Sequence, residues 1–266
     1  MGIAMRDCFD FSFYWELLDG LMSTHRALRF VDVADGFPEE RFFILRHDVD
    51  YSPAAALALA RQESQRRVRA TYFLLPSGFY YNLLDPAHAE LPRQLVDLGH
   101  DVGLHYDVNL FHRFPAGEWT DLLHAQVSLL ETLSGSSVRT IAMHQPGLNG
   151  ADPFHDKTDF LNAYDDRFFR DMPYVSDSCR AWRDAAWSMF ASGPLPRRFQ
   201  LALHPINWST ADRNRADLFR SIHADLARSI ETAGEVLFEQ IQAHPAVIEH
   251  EARADRPVVA GNGSPA

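Results

Sequence analysis

The segment FFILRHDVD, residues 42–50, begins with four apolar residues and ends with ionisable ones. Its apolar half predicts a buried strand, and the carboxyl ends of strands carry the functional side chains of parallel α/β folds. Ser52 and Pro53 follow at once, and this pair is typical of a helix cap and first turn. The stretch therefore predicts a strand, a polar strand end and a helix in succession, which is the repeating unit of an α/β fold.

The same alternation continues along the chain. Strands that alternate with helices imply βαβ units and a mostly parallel sheet, and this number of strands favours an irregular barrel over a sandwich. Further strands are predicted at 70–75, 101–105, 138–143, 174–177 and 199–203, and helices at 11–30, 52–67, 86–98, 119–133 and 212–243.

Three segments differ in their patterning. Residues 1–40 are predicted to form a helical extension packed on the barrel, and residues 41–250 the barrel itself. Residues 251–266 lack an apolar pattern, which predicts a flexible tail.

Composition restricts the classes of partner. The 266 residues carry a formal net charge of −11, which argues against a nucleic-acid or anionic-membrane surface. No apolar run approaches the ~20 residues that span a bilayer, and Asp7 and Asp10 interrupt the N-terminus where a secretory signal would be apolar. Cys8 and Cys179 form no CxxC pair. These features predict a cytoplasmic protein without nucleic-acid or membrane partners, and leave its oligomeric state open.

Polar residues gather at four predicted strand ends: Asp48 and Asp50, then His105, His144 and His204. Asp48 and Asp50 leave their strand on the same side because side chains alternate with a period of two. Two close carboxylates repel unless a cation lies between them, and carboxylate with imidazole suits zinc, with cobalt, nickel or iron also compatible. Asp50 can instead cap the following helix, and each histidine can be an ordinary buried residue.

Five short motifs occur in an order and spacing that resemble the NodB-type polysaccharide deacetylases, carbohydrate esterase family 4, in particular those with a His-Asp-Val-Asp first motif. The resemblance implies a distorted (β/α) barrel of about seven strands. The motifs are RHDVD at 46–50, GHDVGLH at 99–105, HQPG at 144–147, YVSDSCRAW at 174–182 and LALHP at 201–205.

The resemblance also implies residue roles. Asp48 corresponds to the catalytic base, Asp50 and His105 to ligands of a divalent metal, and His204 to the general acid. Zinc is the expected ion.

The region 174–182 supplies candidates for the substrate pocket: Asp177, Arg180 and Trp182. Because His204 must be protonated to act as an acid, a nearby carboxylate should raise its pKa, and Asp177 is the candidate partner.

Two positions depart from the family pattern. Asn109 stands where the second motif has another metal-binding histidine, and His144 stands where the third motif has an arginine that braces the catalytic Asp. The third metal ligand can therefore be His144, the amide oxygen of Asn109, or water, and we favour His144.

The implied function is metal-dependent hydrolysis of a C–N amide bond, namely N-deacylation of an intracellular small-molecule N-acyl sugar or biosynthetic intermediate. Two alternatives stay open: hydrolysis of a cyclic imide or ureide, and a non-catalytic carbohydrate- or metabolite-binding protein that retains the fold. A serine nucleophile is disfavoured because the sequence contains no Gly-x-Ser-x-Gly elbow.

Overall fold

The computed structural model describes residues 5–182, 188–190 and 194–245, so the predicted tail lies outside the described residues. The strands are β1 Arg26–Leu28, β2 Phe42–Val49, β3 Thr71–Leu74, β4 Asp101–Tyr106, β5 Thr140–Met143, β6 Leu161–Asn162, β7 Tyr174–Ser176 and β8 Arg198–Leu203. The helices are α1 Phe11–Met22, α2 Pro53–Gln65, α3 Leu91–Asp97, α4 Val108–Phe111, α5 Trp119–Ser134, α6 Pro146–Asn149, α7 Asp166–Phe169 and α8 Arg215–Gln242.

The strands form one parallel sheet in the order β6-β5-β4-β3-β2-β8-β7. This seven-strand path with intervening helices confirms the predicted α/β class and distorted barrel. β1 is an eighth strand off the path, and it pairs with residues 42–44 of β2, whereas β3 pairs with residues 46–49. β1 thus covers the part of the β2 edge that β3 leaves open.

β2 is the centre of the core, and all eight of its residues are buried. Its apolar half is typical of a parallel strand covered on both faces. Its second half carries Arg46, His47 and Asp48, so charged groups lie where a strand of this kind is normally apolar. Side-chain alternation sends His47 to the face opposite Asp48, where its Nε2 lies 2.8 Å from Oε1 of Glu63 in α2.

The N-terminal segment differs from the predicted single helix. α1 begins at Asp10, whose side chain accepts a hydrogen bond from the Phe13 amide, and it buries one apolar face. It ends at Met22, and β1 follows because pairing with β2 satisfies that backbone better than a longer helix. The extension therefore contributes a strand as well as the expected helix.

Two smaller differences have local causes. The helix expected at 86–98 begins only at Leu91, with Pro92 in its first turn, because proline is best accommodated there. β6 has two residues and is too short to show a period in the sequence.

Internal contacts divide the chain into two compact units, one ending at Arg215 and one starting at Ala216. The expected domain limits at residues 40 and 250 stay predictions. Across the described ranges, no helix combines the length and the apolar character that crossing a membrane requires.

Asp101 opens β4 and is a buried carboxyl group. Its Oδ2 accepts hydrogen bonds from Thr71 Oγ1 at 3.2 Å and Thr140 Oγ1 at 3.4 Å. Burial raises the pKa of Asp101 from 3.8 to about 6, against the opposing effects of Arg29 and these hydrogen bonds. Because the folded-state pKa is the higher one, the contribution of Asp101 to stability is complete below pH 3.8 and is lost as the pH rises through about 6.

Asp101→Asn should remove this titration. We expect the free energy of unfolding of the variant, relative to wild type, to increase by about 2–3 kcal/mol between pH 4 and pH 7, because one pKa unit is worth about 1.4 kcal/mol. Urea unfolding of both proteins at several pH values measures this difference in the free energy of unfolding. Asp97→Asn, at an exposed carboxylate of α3, is the control. A difference that does not change with pH would contradict the buried-carboxyl interpretation.

Candidate active site

An ion pair inside β2 fixes the first carboxylate of the site. Arg46 and Asp48 leave the strand on the same side, and the guanidinium donates through Nε to Oδ1 at 2.9 Å and through a terminal nitrogen to Oδ2 at 2.6 Å. Arg46 is fully buried and Asp48 is 5% exposed. Burial acts to raise the pKa of Asp48, but Arg46 outweighs it and holds that pKa well below its ordinary value. Asp48 is therefore ionised throughout the neutral range.

Two further donors of Arg46 also have hydrogen-bond partners. One terminal nitrogen donates to Gln200 Oε1 at 3.0 Å and the other to the Tyr164 hydroxyl at 3.0 Å. The guanidinium also lies 5.2 Å from the centroid of the Phe73 ring. A Cβ on Gly103 would come within 2.6 Å of that ring, so glycine in β4 is what admits Phe73. Arg46 thus braces Asp48, a role that the family pattern gives to an arginine at the position of His144.

A second group of side chains meets around one point. Asp50 follows β2, His105 lies near the end of β4, and His144 follows β5. Their nearest ligand atoms all lie within 4.8 Å of one another. Nε2 of His105 is 3.2 Å and Nε2 of His144 is 3.8 Å from Oδ1 of Asp50. The structure therefore brings together the three predicted metal ligands.

The hydrogen bonds of these three side chains leave two of their buried ligand atoms without a partner among the described residues. Nδ1 of His105 lies 2.9 Å from the carbonyl oxygen of Ala142, which can only accept, so Nδ1 carries the proton. In the neutral ring Nε2 then presents a lone pair to the Asp50 carboxylate. Among the described residues, neither Asp50 Oδ1 nor His144 Nε2 has a hydrogen-bond partner with acceptable geometry, although both are buried. Asp50 Oδ1, His105 Nε2 and His144 Nε2 lie around one point, and a divalent metal is the group that such a donor set accommodates.

The donor set and spacing fit such an ion. Burial and the neighbouring His105 lower the pKa of His144, although Asp50 acts in the opposite direction. The lowered pKa favours the neutral imidazole, which is the form that ligates metals. Tetrahedral ligands at ~2.1 Å from zinc lie about 3.4 Å apart, close to the separations observed. Asp50 is not needed as a helix cap, because the Ser52 side chain accepts from the Ala55 amide and caps α2.

Asn109 does not take part in this group. Its side chain is exposed, and its amide nitrogen donates to Asp107 Oδ1 at 2.9 Å and to Asn149 Oδ1 at 3.1 Å. The Asn149 amide in turn donates to the carbonyl oxygen of His144 at 3.0 Å. Gln145, between them, has a φ of 52°, a left-handed conformation that costs a non-glycine residue energy. The two asparagines therefore hold the turn that presents His144.

The third component is the pair His204 and Asp177, at the ends of β8 and β7. Nδ1 of His204 lies 2.6 Å from Oδ1 of Asp177, and the indole nitrogen of Trp208 donates to Oδ2 at 2.9 Å. Burial acts to lower the pKa of His204, but Asp177 and the carboxylates of Asp50 and Asp48 outweigh it and raise that pKa to about 10. His204 is therefore a proton-carrying imidazolium at neutral pH, with Nε2 3.8 Å from Asp50 Oδ2.

Arg180 and Trp182, expected in the substrate pocket, are engaged in packing. The Arg180 guanidinium donates to Asp212 at 2.6 Å and to the Arg213 carbonyl at 2.7 Å, and lies over the Phe9 ring. Trp182 is 6% exposed and stacks on the same Phe9 ring at 5.8 Å. In these positions both residues support the loop after Asp177, and their assignment to the substrate pocket stays a prediction. Asp177 contacts both the backbone amide and the ring of His204, as expected of its carboxylate partner, and its part in the substrate pocket stays a prediction.

Sequence reasoning missed the part played by Arg46, Gln200 and Tyr164. The signal for Arg46 was present, because the period of two that places Asp48 beside Asp50 also places Arg46 beside Asp48. Gln200 and Tyr164 are 154 and 118 residues from Arg46 in sequence, and no local pattern indicates that they meet.

No protein-family model matches the chain, and no curated protein sequence matches it. Similar solved structures include a family 4 carbohydrate esterase from Bacillus anthracis, 17% identical with a TM-score of 0.41, over 86% of this chain and 89% of that one. Peptidoglycan deacetylase PdaC from Bacillus subtilis is 15% identical with a TM-score of 0.44, over 77% of this chain and 98% of that one.

A CE4 family pseudoenzyme from Bacillus anthracis is 16% identical with a TM-score of 0.44, over 73% of this chain. The match spans 63% of that protein, which is less than two thirds of its length. At these sequence identities and TM-scores, the fold is assigned from the strand order described above. Conclusions about chemistry are drawn from the residues of the site.

Arg46→Met should leave the Asp48 carboxylate buried without its counter-charge. We expect the free energy of unfolding at pH 7 to fall by about 3–5 kcal/mol, the range for breaking a buried ion pair from one side. Urea denaturation measures the loss. The double variant Arg46→Met/Asp48→Asn should recover most of it because no lone charge remains. An Arg46→Met protein within about 1 kcal/mol of wild type would contradict this account.

Asn149→Ala should loosen the turn that carries His144. We expect the Kd for Co²⁺ to rise about tenfold, as is typical when a residue that orients a metal ligand is removed. Competitive titration against a chelating dye measures the Kd. Leu148→Ala is the matched control, because Leu148 belongs to the same turn and is 81% exposed. Equal Kd values for the two variants would show that the asparagine bonds do not hold His144.

Proposed function

We propose that this chain is a metal-dependent hydrolase that cleaves a C–N amide bond by N-deacylation of a small N-acyl sugar or biosynthetic intermediate. The observation that carries the proposal is the convergence of Asp50, His105 and His144 on one point, where Asp50 Oδ1 and His144 Nε2 have no hydrogen-bond partner among the described residues. The resemblance of the sequence motifs to the NodB-type deacetylases agrees with it.

Zinc is the proposed ion, with cobalt, nickel and iron as substitutes, because two imidazoles and one carboxylate form a donor set that these ions share. Bound there, the ion would polarise the acyl carbonyl and lower the pKa of a water molecule towards ~7. The proton transfers would be carried out by the side chains around the ion.

Asp48 is the proposed general base. It shares the face of β2 with Asp50, and Arg46 keeps it ionised and fixed in orientation. The same ion pair makes Asp48 a weak base, because a low pKa means a low affinity for the proton. A base of this strength would act only on a water whose pKa is lowered, and that is the chemistry that an ion held by Asp50, His105 and His144 would supply.

His204 is the proposed general acid. The amine that leaves on cleavage of an amide must be protonated, and His204 carries a proton at neutral pH because its pKa is about 10. Asp177 accepts from the backbone amide of His204 at 3.0 Å as well as from its ring, so it fixes the orientation of the ring as well as its charge. Nε2 is left facing the site to donate its proton.

The proposal includes a cytoplasmic location and a small-molecule partner. The two cysteines are free thiols, as is usual in reducing compartments, and the net charge of −11 does not favour nucleic acid. The cyclic imide or ureide hydrolase and the non-catalytic binding protein are the alternatives that experiment must separate from it.

Metal content tests the site first. We expect about one equivalent of metal per chain in wild type, Asp48→Asn and His204→Gln, and loss of metal in His105→Ala and His144→Ala, because only the latter two remove ligands. Inductively coupled plasma mass spectrometry gives the stoichiometry. A wild-type chain that stays empty after dialysis against zinc or cobalt would favour the binding protein.

Turnover separates the remaining possibilities. Released acetate from N-acetyl sugars, and ring opening of a cyclic imide, are measured on the metal-loaded proteins. We expect Asp48→Asn and His204→Gln to lower kcat about 10²- to 10⁴-fold, the usual contribution of a general base or acid, while both keep their metal. Ring opening without acetate release would assign the site to the cyclic substrates instead.

A further inference from the structure

The last turns of α8 are exposed on every side among the described residues. Every residue from 227 to 245 is exposed, and α8 continues through this part as far as Gln242. Ile230 is 64% exposed, Leu237 57% and Ile241 49%. A lone helix of this length is marginal in water, and most helices depend on the packing of an apolar face. Within the described chain, this part of α8 lacks that packing.

The exposed apolar side chains of α8 share one face of the helix. Leu226, Ile230, Leu237 and Ile241 are separated by four, seven and four residues, and these spacings bring side chains to the same side of an α-helix. We name these four residues the α8 stripe. A contiguous apolar patch on a surface is typical of a site of protein association.

A glycine lies in the middle of the α8 stripe. Gly234 is inside an exposed helix, where glycine costs about 1 kcal/mol relative to alanine. A Cβ at this position would meet no atom within 4 Å, so packing within the described chain does not require a glycine there. Ala233 precedes it, and we name the two residues the small pair. Their size allows a second backbone to approach α8 closely at this level.

The charges of α8 indicate which partner fits the stripe. Residues 215–228 contain three arginines and two aspartates, whereas residues 229–242 contain three glutamates and no basic residue. Two parallel copies of α8 would bring their glutamate-bearing halves level, where like charges repel. Two antiparallel copies bring the arginine-bearing half of each helix level with the glutamate-bearing half of the other. The helix is therefore complementary in charge to a second copy of itself that runs in the opposite direction.

An antiparallel pair centred on the small pair also matches the stripe to itself. In a two-fold interface, a residue before the centre meets the residue that lies equally far after it. Ile230 then comes level with Leu237 of the second copy, and Leu226 comes level with Ile241 of the second copy. The same arrangement therefore covers the stripe of each helix and places the small pair where the two helices cross.

Other occupants fit the stripe less well. Residues 246–266 contain large apolar side chains only as Val247 with Ile248 and Val258 with Val259, and these pairs do not reproduce the spacing of the stripe. Helices that lie on a membrane surface present lysines and arginines on their polar face, whereas this part of α8 presents glutamates.

We propose that α8 is the interface of a homodimer, in which two copies of the chain pair antiparallel through the α8 stripe and cross at the small pair. The proposal depends on α8 alone and is independent of the chemistry of the metal site. Because four apolar side chains from each helix make a small interface, we expect a dimer Kd in the micromolar range.

Sedimentation equilibrium of the full chain over a range of concentrations measures the dimer Kd. Leu237→Glu changes the stripe, and Thr232→Glu is the matched control because it places the same charge at an exposed position of α8 outside the stripe. We expect Leu237→Glu to raise the dimer Kd at least about 100-fold, since each dimer would bury two unpaired carboxylates, and Thr232→Glu to change it less than about threefold. Near-UV circular dichroism, which reports the packing of the aromatic core, should be the same for both variants and wild type.

Disulfide cross-linking tests the direction of the pair without disturbing the stripe with a charge. In a chain that carries Cys8→Ser and Cys179→Ser, Ala233→Cys should cross-link to itself under copper phenanthroline, because the antiparallel pair brings the two copies of this position together. Ile241→Cys should not, since its two copies would lie about 22 Å apart along the axis at ~1.5 Å per residue. It should instead cross-link to Leu226→Cys when the two proteins are mixed.

Three results would overturn the proposal: a wild type that is monomeric at every concentration, equal dimer Kd values for wild type and Leu237→Glu, or cross-linking of Ile241→Cys to itself as fast as of Ala233→Cys, which is the pattern of a parallel pair. A monomeric wild type that dimerises once residues 246–266 are deleted would assign the stripe to that segment instead.

Discussion

The buried ion pair between Arg46 and Asp48 is the constraint on which the rest of the site depends. Two charges removed from water cost several kcal/mol each unless their partners are placed with good geometry. Gln200 meets this demand by accepting from Arg46 while its own amide donates to the carbonyl oxygens of Ala163 and Phe168. Through Gln200, the ion pair thus fixes β8 and the segment between β6 and β7 relative to β2. The hydrogen bonds that Arg46 requires therefore also hold Asp48 rigidly.

Alternation along β2 separates two sets of buried charge. On one face lie the groups that the proposed chemistry uses, and on the other His47 contacts Glu63, which also accepts from the hydroxyls of Tyr14 and Tyr72. Burial acts to raise the pKa of Glu63, but His47 outweighs it and keeps that pKa below its ordinary value. Since α1 carries Tyr14, the N-terminal segment helps to satisfy the charge directly behind the site.

The N-terminal segment also supports the pair formed by His204 and Asp177. The Phe9 ring stacks on Trp182 and lies edge to face with Trp208, whose indole nitrogen holds Asp177. Phe9, Trp182 and Trp208 therefore form one packed aromatic cluster beside the Asp177 carboxylate. The Asp177 carboxylate at 2.6 Å is the largest of the effects that raise the pKa of His204, and aromatic packing holds that carboxylate in place without adding competing polar groups.

The sequence by itself determined the fold class, the strand ends that carry polar residues and the shared side of Asp48 and Asp50, because hydrophobic periodicity and side-chain alternation are local properties of the chain. Only the tertiary structure decided that His144, and not Asn109, faces Asp50 across β4 and β3, and that Arg46 takes over the bracing of Asp48. The first outcome joins residues that are 94 positions apart in the sequence, and the second requires Gln200 and Tyr164, which lie 154 and 118 residues from Arg46. A local pattern carries no information about partners at such separations.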